Sequence, residues 1–185
     1  MQLRVSSLTV NSLCLLISML LLTSGRTNDP KLPGSLQFEI RNAGITVKGH
    51  FREWQHEVRF DPSNLSGSSL EGKAVVASVA TGIENRDEHL QTRQYFHAAV
   101  HPYIVMRSRN LQHKGGNRYE GNFDIRIRDI TRAVTMVFTA DRLGKGWRLR
   151  GTCRINRMDF GVGGKSLILG DEVRILIDAT STYEN

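Results

Sequence analysis

Apolar and polar side chains alternate with a period of two through most of the chain. In residues 36–41, Leu36, Phe38 and Ile40 alternate with Gln37, Glu39 and Arg41, which is the signature of a strand with one buried face. Residues 45–52 repeat it, with Ile45, Val47 and Phe51 set against Thr46, Lys48, His50 and Arg52. In residues 54–60 the apolar set is Trp54, Val58 and Phe60. Residues 119–128 place Tyr119, Phe123, Ile125 and Ile127 opposite Glu120, Asn122, Asp124, Arg126 and Arg128. Val134, Met136 and Phe138 form the inner set of the next segment, Trp147, Leu149, Cys153 and Ile155 that of another, and Val173, Ile175 and Ile177 close the series. Residues 74–81 and 104–110 read as strands with weaker alternation. Turn signals such as Asp61-Pro62, Gly115-Gly116-Asn117 and Gly144-Lys145-Gly146 separate these runs. Many short alternating strands with such punctuation predict an antiparallel sheet closed into a barrel or folded into a sandwich.

One segment breaks the rhythm. Asn85 offers a helix cap, with Glu88 three residues later and Asp87 in the first turn, so residues 86–96 are expected to form a short helix beside the barrel mouth.

The first 25 residues read as an address. Arg4 supplies a positive start, residues 13–22 are an apolar run well short of the roughly 20 residues a spanning helix requires, and Thr23-Ser24-Gly25 places small residues at a cleavage position. The expectation is a signal peptide over 1–25, export to the periplasm or the exterior, a tether over 26–35 and one domain over 36–185. Loss of 1–25 removes Cys14 and leaves Cys153 as the single thiol, so no intramolecular disulfide is available and the core must hold the fold.

Charge changes the picture little. The net charge is +7, but Lys48, Arg52, Arg59, Arg126, Arg128, Arg148, Arg150, Arg154 and Arg174 all fall at outward parity, interspersed with Glu57, Glu120, Asp124 and Glu172. That is a solvated exterior, without the exposed aromatics that single-strand nucleic-acid binding uses.

Candidate chemistry is sparse. His97 and His101 are four residues apart, but no Glu follows His97 and Pro102 follows His101 directly, so no metal site is expected. His56 has inward parity and reads as a hydrogen-bonded core histidine. Arg157 continues the inward parity of Cys153 and Ile155. It reads either as half of a salt bridge closing one barrel end, with Asp159 as partner, or as a polar anchor for a ligand head group. No nucleophile motif is present, and Cys153 faces an apolar interior that disfavours its thiolate.

Three stretches carry a family resemblance. VKGHF (47–51) leading to Phe60-Asp61-Pro62, then TGIENRDEHL (81–90), then INRMDFGVG (155–163) resemble the YceI-like proteins in order and spacing. Gln94-Tyr95-Phe96 with Pro102, and ITRAV (130–134), add to the match, which spans 36–183. Three positions depart from the family pattern: Asp129 stands in place of a turn glycine, His97 in place of an acid, and Gly34 in place of a histidine near the polar end of the pocket. The resemblance implies an all-β, lipocalin-like, eight-stranded antiparallel barrel, periplasmic and binding polyisoprenoids.

Parity and resemblance together yield a site. Phe38, Phe51, Met106, Phe123, Met136, Phe138 and Ile155 are expected to line an elongated apolar pocket, with Arg86, His89 and Arg157 at a polar rim. The expected ligand is an isoprenoid lipid, a quinone or polyprenyl phosphate, held without catalysis. No cofactor, no metal and no nucleic-acid partner are expected, and no more than transient membrane contact; a homodimer is compatible with the sequence. A hydrolase or isomerase acting on such a lipid, or a filled barrel serving as an interaction scaffold, are the competing readings.

Overall fold

The computed structural model describes residues 34–181. The expected signal segment and most of the tether lie outside them. Ten strand segments run in chain order: β1 (Ser35–Asn42), β2 (Ile45–Phe51), β3 (Trp54–Arg59), β4 (Ser69–Val75), β5 (Val79–Ala80), β6 (Tyr103–His113), β7 (Arg118–Ile127), β8 (Ile130–Leu143), β9 (Gly146–Asn156) and β10 (Leu169–Thr180), with one helix, α1 (Glu84–Gln91), between β5 and β6.

Two pairs of segments are single strands broken at one corner. β2 pairs with β5 and β3 pairs with β4, so the run β2–β3 lies antiparallel to the run β4–β5, and both bend at the same level. Ser78, buried in the 3-10 turn Val76–Ser78, pins the bend: its hydroxyl donates to the Val75 carbonyl at 2.7 Å and accepts the Glu53 N–H at 3.0 Å, while its carbonyl accepts the Arg52 N–H. Counted this way there are eight strands, each paired with its sequence neighbour, and β1 pairs with both β2 and β10. The curled sheet returns on itself as an up-and-down barrel, which leaves few open edges.

Local chemistry explains the hairpins. Ala43 and Gly44 between β1 and β2 both adopt positive φ, 50° and 80°. This two-residue turn twists in the sense of its strands, with glycine taking one left-handed position freely. Between β7 and β8 the left-handed residue is Arg128, at φ 58°. Arg128 is therefore a turn residue and not part of the outward strand face; its Nη1 donates to the Gly161 carbonyl at 2.6 Å. Ile45 keeps inward parity but projects above the barrel rim and is 69% exposed. The weak alternation of β6 has a cause. A register shift between Ser108 and Asn110 against β7 switches parity mid-strand, so that Met106 and Leu111 both turn inward.

The up-and-down path sorts the connections into two ends. At one, the turns after β3, β6 and β8 meet over an aromatic cluster: Phe60 stands edge-on to Tyr119 (5.0 Å), Trp147 (5.6 Å) and Phe138 (6.0 Å). These rings stopper that end. Gly34 also lies there, where a Cβ would sit 2.4 Å from the Asp178 carbonyl oxygen. No side chain fits at Gly34, and its place in the fold is remote from the polar end of the pocket. At the other end, the mouth, lie the β1–β2 turn, α1 with the loop after it, and the β9–β10 loop.

Beside the stopper, β3 leaves β1 and a seam opens toward the end of β10. His56 fills it, stacked on Trp54 at 4.4 Å and accepting the Thr180 N–H at Nε2 (3.3 Å). Burial lowers the His56 pKa below its ordinary 6.5, against weaker upward pulls from the Thr180 backbone and the Asp178 carboxylate. A lowered folded value means the unfolded chain binds the proton more tightly. This contribution to stability is complete above about pH 6.5 and is lost as pH falls from there toward the folded value. Comparing urea midpoints near neutrality and in mild acid, His56→Gln is expected to show a flatter pH dependence than the parent; equal slopes would remove His56 from the account.

Candidate ligand-binding cavity

Two segments roof the mouth. The first runs from Thr81 through α1. Asp87, buried in the helix, accepts the Thr81 N–H at 2.8 Å and the Thr81 hydroxyl, while Arg86 donates from Nε to Thr81 Oγ1 (2.7 Å) and from Nη2 to the Thr81 carbonyl (2.8 Å). These bonds bolt the helix to the end of β5. α1 begins at Glu84 with Ile83 at its cap, so Asn85 is a first-turn residue and not the cap. It ends at Gln91, short of Phe96, and the chain continues in turns that put His97 at φ 53°.

The second segment is the β9–β10 loop, organised by Arg157. Arg157 is 3% exposed, and its guanidinium spends every N–H it has. Nε donates to the Gly170 carbonyl, Nη1 to those of Val162 and Gly164, and Nη2 to the Leu169 carbonyl and to Asp171 Oδ1 at 2.7 Å. Five donors meet five acceptors. The partner is Asp171 and not Asp159, and the salt-bridge role fits this geometry: Arg157 touches the cavity but holds no N–H in reserve for a head group. Gly163 N–H donates to the Gln94 carbonyl at 2.8 Å, which stitches the two roof segments together.

Beneath the roof is a cavity of about 480 Å³. Leu36, Phe38, Ile40, Val47 and Phe51 form one wall, Ile104, Ile125, Ile127 and Ile155 another, and Val173 and Ile175 close it; Thr81, Arg86, His89, Gln94, Tyr95, Lys165 and Ser166 contribute polar atoms near the opening. Below it lies a narrower space of about 80 Å³ lined by Met106, Phe123, Met136 and Phe138. Both touch Leu36, Ile104, Ile125 and Ile175, so they are successive levels of one interior.

The seven apolar residues chosen from the sequence thus divide by depth. Phe38, Phe51 and Ile155 line the wide upper chamber. Met106, Phe123, Met136 and Phe138 line the lower level, and Phe138 also belongs to the stopper. Arg86 and His89 stand at the opening, where His89 meets the Tyr95 ring edge-on at 4.9 Å. Parity alone missed Gly49, which shapes the chamber: a Cβ there would lie 2.2 Å from Phe38 Cζ, so glycine makes room for the Phe38 ring. The gap between Val47 and Phe51 in the apolar series was its visible trace. Parity also missed Leu90, in α1, and Phe96 and Ile168, in irregular chain, where period two has no meaning.

The lining is poor in reactive groups. Among the described residues no Asp or Glu lines the chamber. Ser166 Oγ accepts the N–H groups of Ile168 and Leu169. Burial pushes the Cys153 thiol up to about 12, leaving no thiolate near neutral pH. His97 and His101 meet edge to face at 5.7 Å, and among the described residues they find no third ligand.

A model of the YceI-like domain matches residues 30–181. The chain belongs to the YceI-like family. Among its relatives, a UPF0312 protein of Vibrio cholerae is 25% identical over 137 residues, covering 69% of this chain and 71% of the relative. A UPF0312 protein of Photorhabdus laumondii is 25% identical over 140 residues, covering 75% and 71%. Three solved structures share the fold. BcnA of Burkholderia cenocepacia has a TM-score of 0.77 at 24% identity, covering 80% of this chain and 96% of its own. The YCEI protein of Campylobacter jejuni has a TM-score of 0.66 at 20% identity, covering 75% and 86%. A polyisoprenoid binding domain from Saccharophagus degradans, implicated in plant cell wall breakdown, has a TM-score of 0.61 at 10% identity, covering 80% and 93%. The YceI-like family and the barrel architecture expected from the sequence are both found.

Proposed function

We propose that the chain is an exported carrier that binds a long apolar lipid of the isoprenoid class, a quinone or polyprenyl phosphate, in the barrel and returns it chemically unchanged. The observation that carries this reading is the chamber of about 480 Å³, walled mainly by aliphatic and aromatic side chains. That volume lies in the range of small-molecule sites, and each buried CH₂ contributes roughly 0.8 kcal/mol, so a prenyl chain gains affinity there with few polar contacts. The polyisoprenoid-binding description of the Saccharophagus degradans domain, which shares this fold, supports the ligand class. Among the described residues no carboxylate lines the chamber beside His89, which favours carriage over hydrolysis or isomerisation. The signal-like pattern of residues 1–25 supports export.

Mass spectrometry of organic extracts from protein purified out of its native compartment tests both ligand and class; intact mass of the same sample, expected to start near Arg26, tests export. Ile155→Trp directs extra volume into the upper chamber. Filling empty space avoids most of the usual overpacking cost of about 1–3 kcal/mol, so the variant is expected to stay folded and lose about tenfold in bound lipid, the equivalent of displacing two CH₂ groups. A folded Ile155→Trp protein with undiminished isoprenoid would place the ligand elsewhere and end this reading.

A further inference from the structure

The mouth carries an apolar tip that the barrel does not use. Leu167 is fully exposed (107%), and Ile168 is 64% exposed. Ile45 joins them. Ala43 N–H donates to the Ile168 carbonyl at 2.8 Å, and Asn42 pairs with Ile45 on one side and Leu169 on the other, so the β1–β2 turn and the β9–β10 loop end side by side. Single exposed apolar residues are ordinary, but three converging on one protrusion mark an interaction site.

Two further features say what covers it. The tip adjoins the cavity: Asn42, Val47, Lys165, Ser166 and Ile168 line the chamber, so Ile168 belongs both to the exposed tip and to the cavity lining. The flanking charges are cations. Along the barrel wall many arginines are matched to carboxylates, as in Arg107–Glu71, Arg148–Asp178 and Arg150–Asp141. At the tip, Arg41 and Lys165 are exposed and have no ion-pair partner among the described residues, and the adjacent carboxylate, Asp171, is engaged by Arg157.

We infer that Ile45, Leu167 and Ile168 insert into the surface of an anionic lipid bilayer, with Arg41 and Lys165 against its headgroups, so that the barrel docks mouth-down on a membrane. Apolar side chains flanked by cations bind such surfaces by burial combined with attraction to anionic headgroups. The inference rests on the carrier reading for its purpose: docked this way, a prenyl chain passes between bilayer and chamber along apolar surface without crossing water.

The test places a tryptophan at the tip of the full chain. With vesicles of phosphatidylcholine and phosphatidylglycerol carrying brominated acyl chains, Leu167→Trp is expected to lose at least half its added fluorescence, while Val137→Trp on the barrel wall stays unquenched. The double variant Ile45→Asp, Leu167→Asp is expected to bind these vesicles about tenfold more weakly. Arg41→Gln is expected to reduce the preference over phosphatidylcholine alone. An unquenched tryptophan at 167, or equal quenching at 137, overturns the inference. So does a concentration-dependent dimer that Leu167→Asp abolishes in the absence of quenching, which would assign the tip to a second copy of the chain. Extraction of lipid from the same unmodified protein separates the two claims. Quenching with no isoprenoid in the barrel leaves docking standing and removes the carrier, whereas isoprenoid without quenching does the reverse.

Discussion

Replacing Arg157 by leucine is expected to lower the stability of the protein by about 3–5 kcal/mol, mainly through the loop carbonyls left without a donor. The change keeps the apolar stem and deletes the guanidinium. Four carbonyls, those of Val162, Gly164, Leu169 and Gly170, lose their donor together with Asp171, and an unsatisfied buried acceptor costs about 1–3 kcal/mol by itself. Lysine is expected to rescue only part, because three donors on a point charge cannot reach five acceptors laid out for a planar fork. Asp171→Asn should cost far less, since that side chain is half exposed. Urea melts of the three variants give the order directly. A loss below about 1 kcal/mol for leucine would mean that the loop holds its shape without the arginine.

Phe60→Ala is expected to destabilise the barrel by a comparable amount, about 3–5 kcal/mol as for other buried phenylalanines. Phe60 is buried and meets three rings edge-on, Tyr119, Phe138 and Trp147, and such aromatic pairs contribute beyond the area they cover. Because the stopper lies at the far end from the chamber, the variant should keep its upper cavity. Thermal melting should show the loss, while lipid recovered per folded molecule stays near that of the parent. A small stability change would show that the other rings close the end without Phe60.

Much of this architecture is legible in the sequence, and the exceptions have physical reasons. Wherever a strand runs unbroken, alternation locates it: β1, β2, β3, β7 and β9 appear where Leu36, Val47, Trp54, Phe123 and Leu149 place them. β4 is hidden because it opens on Ser-Leu-Glu-Gly-Lys, with little apolar content, and because the 3-10 turn at Val76–Ser78 separates it from β5. The bulge in β6 scrambles its parity. Asn85 looks like a cap, but Asp87 is the residue the fold recruits, through Thr81. Period two reports which residues face inward and says nothing of how far down they sit. Phe38 and Phe138 therefore look alike in the sequence, although one lines the open chamber and the other belongs to the stopper. Arg157 was visible as an inward charge, but its partner lies across a loop whose path no spacing rule predicts.

The aromatic stopper makes the barrel a vessel with a single door. A molecule that enters chain-first must leave chain-last, retracing its path, so cargo cannot flow through from one end to the other. On the proposed carrier reading, donor and acceptor then use the same face in turn, and neither is engaged while the other is seated. Exchange by the proposed carrier is then a double displacement, in which the loaded protein lets go of its source before it meets its destination.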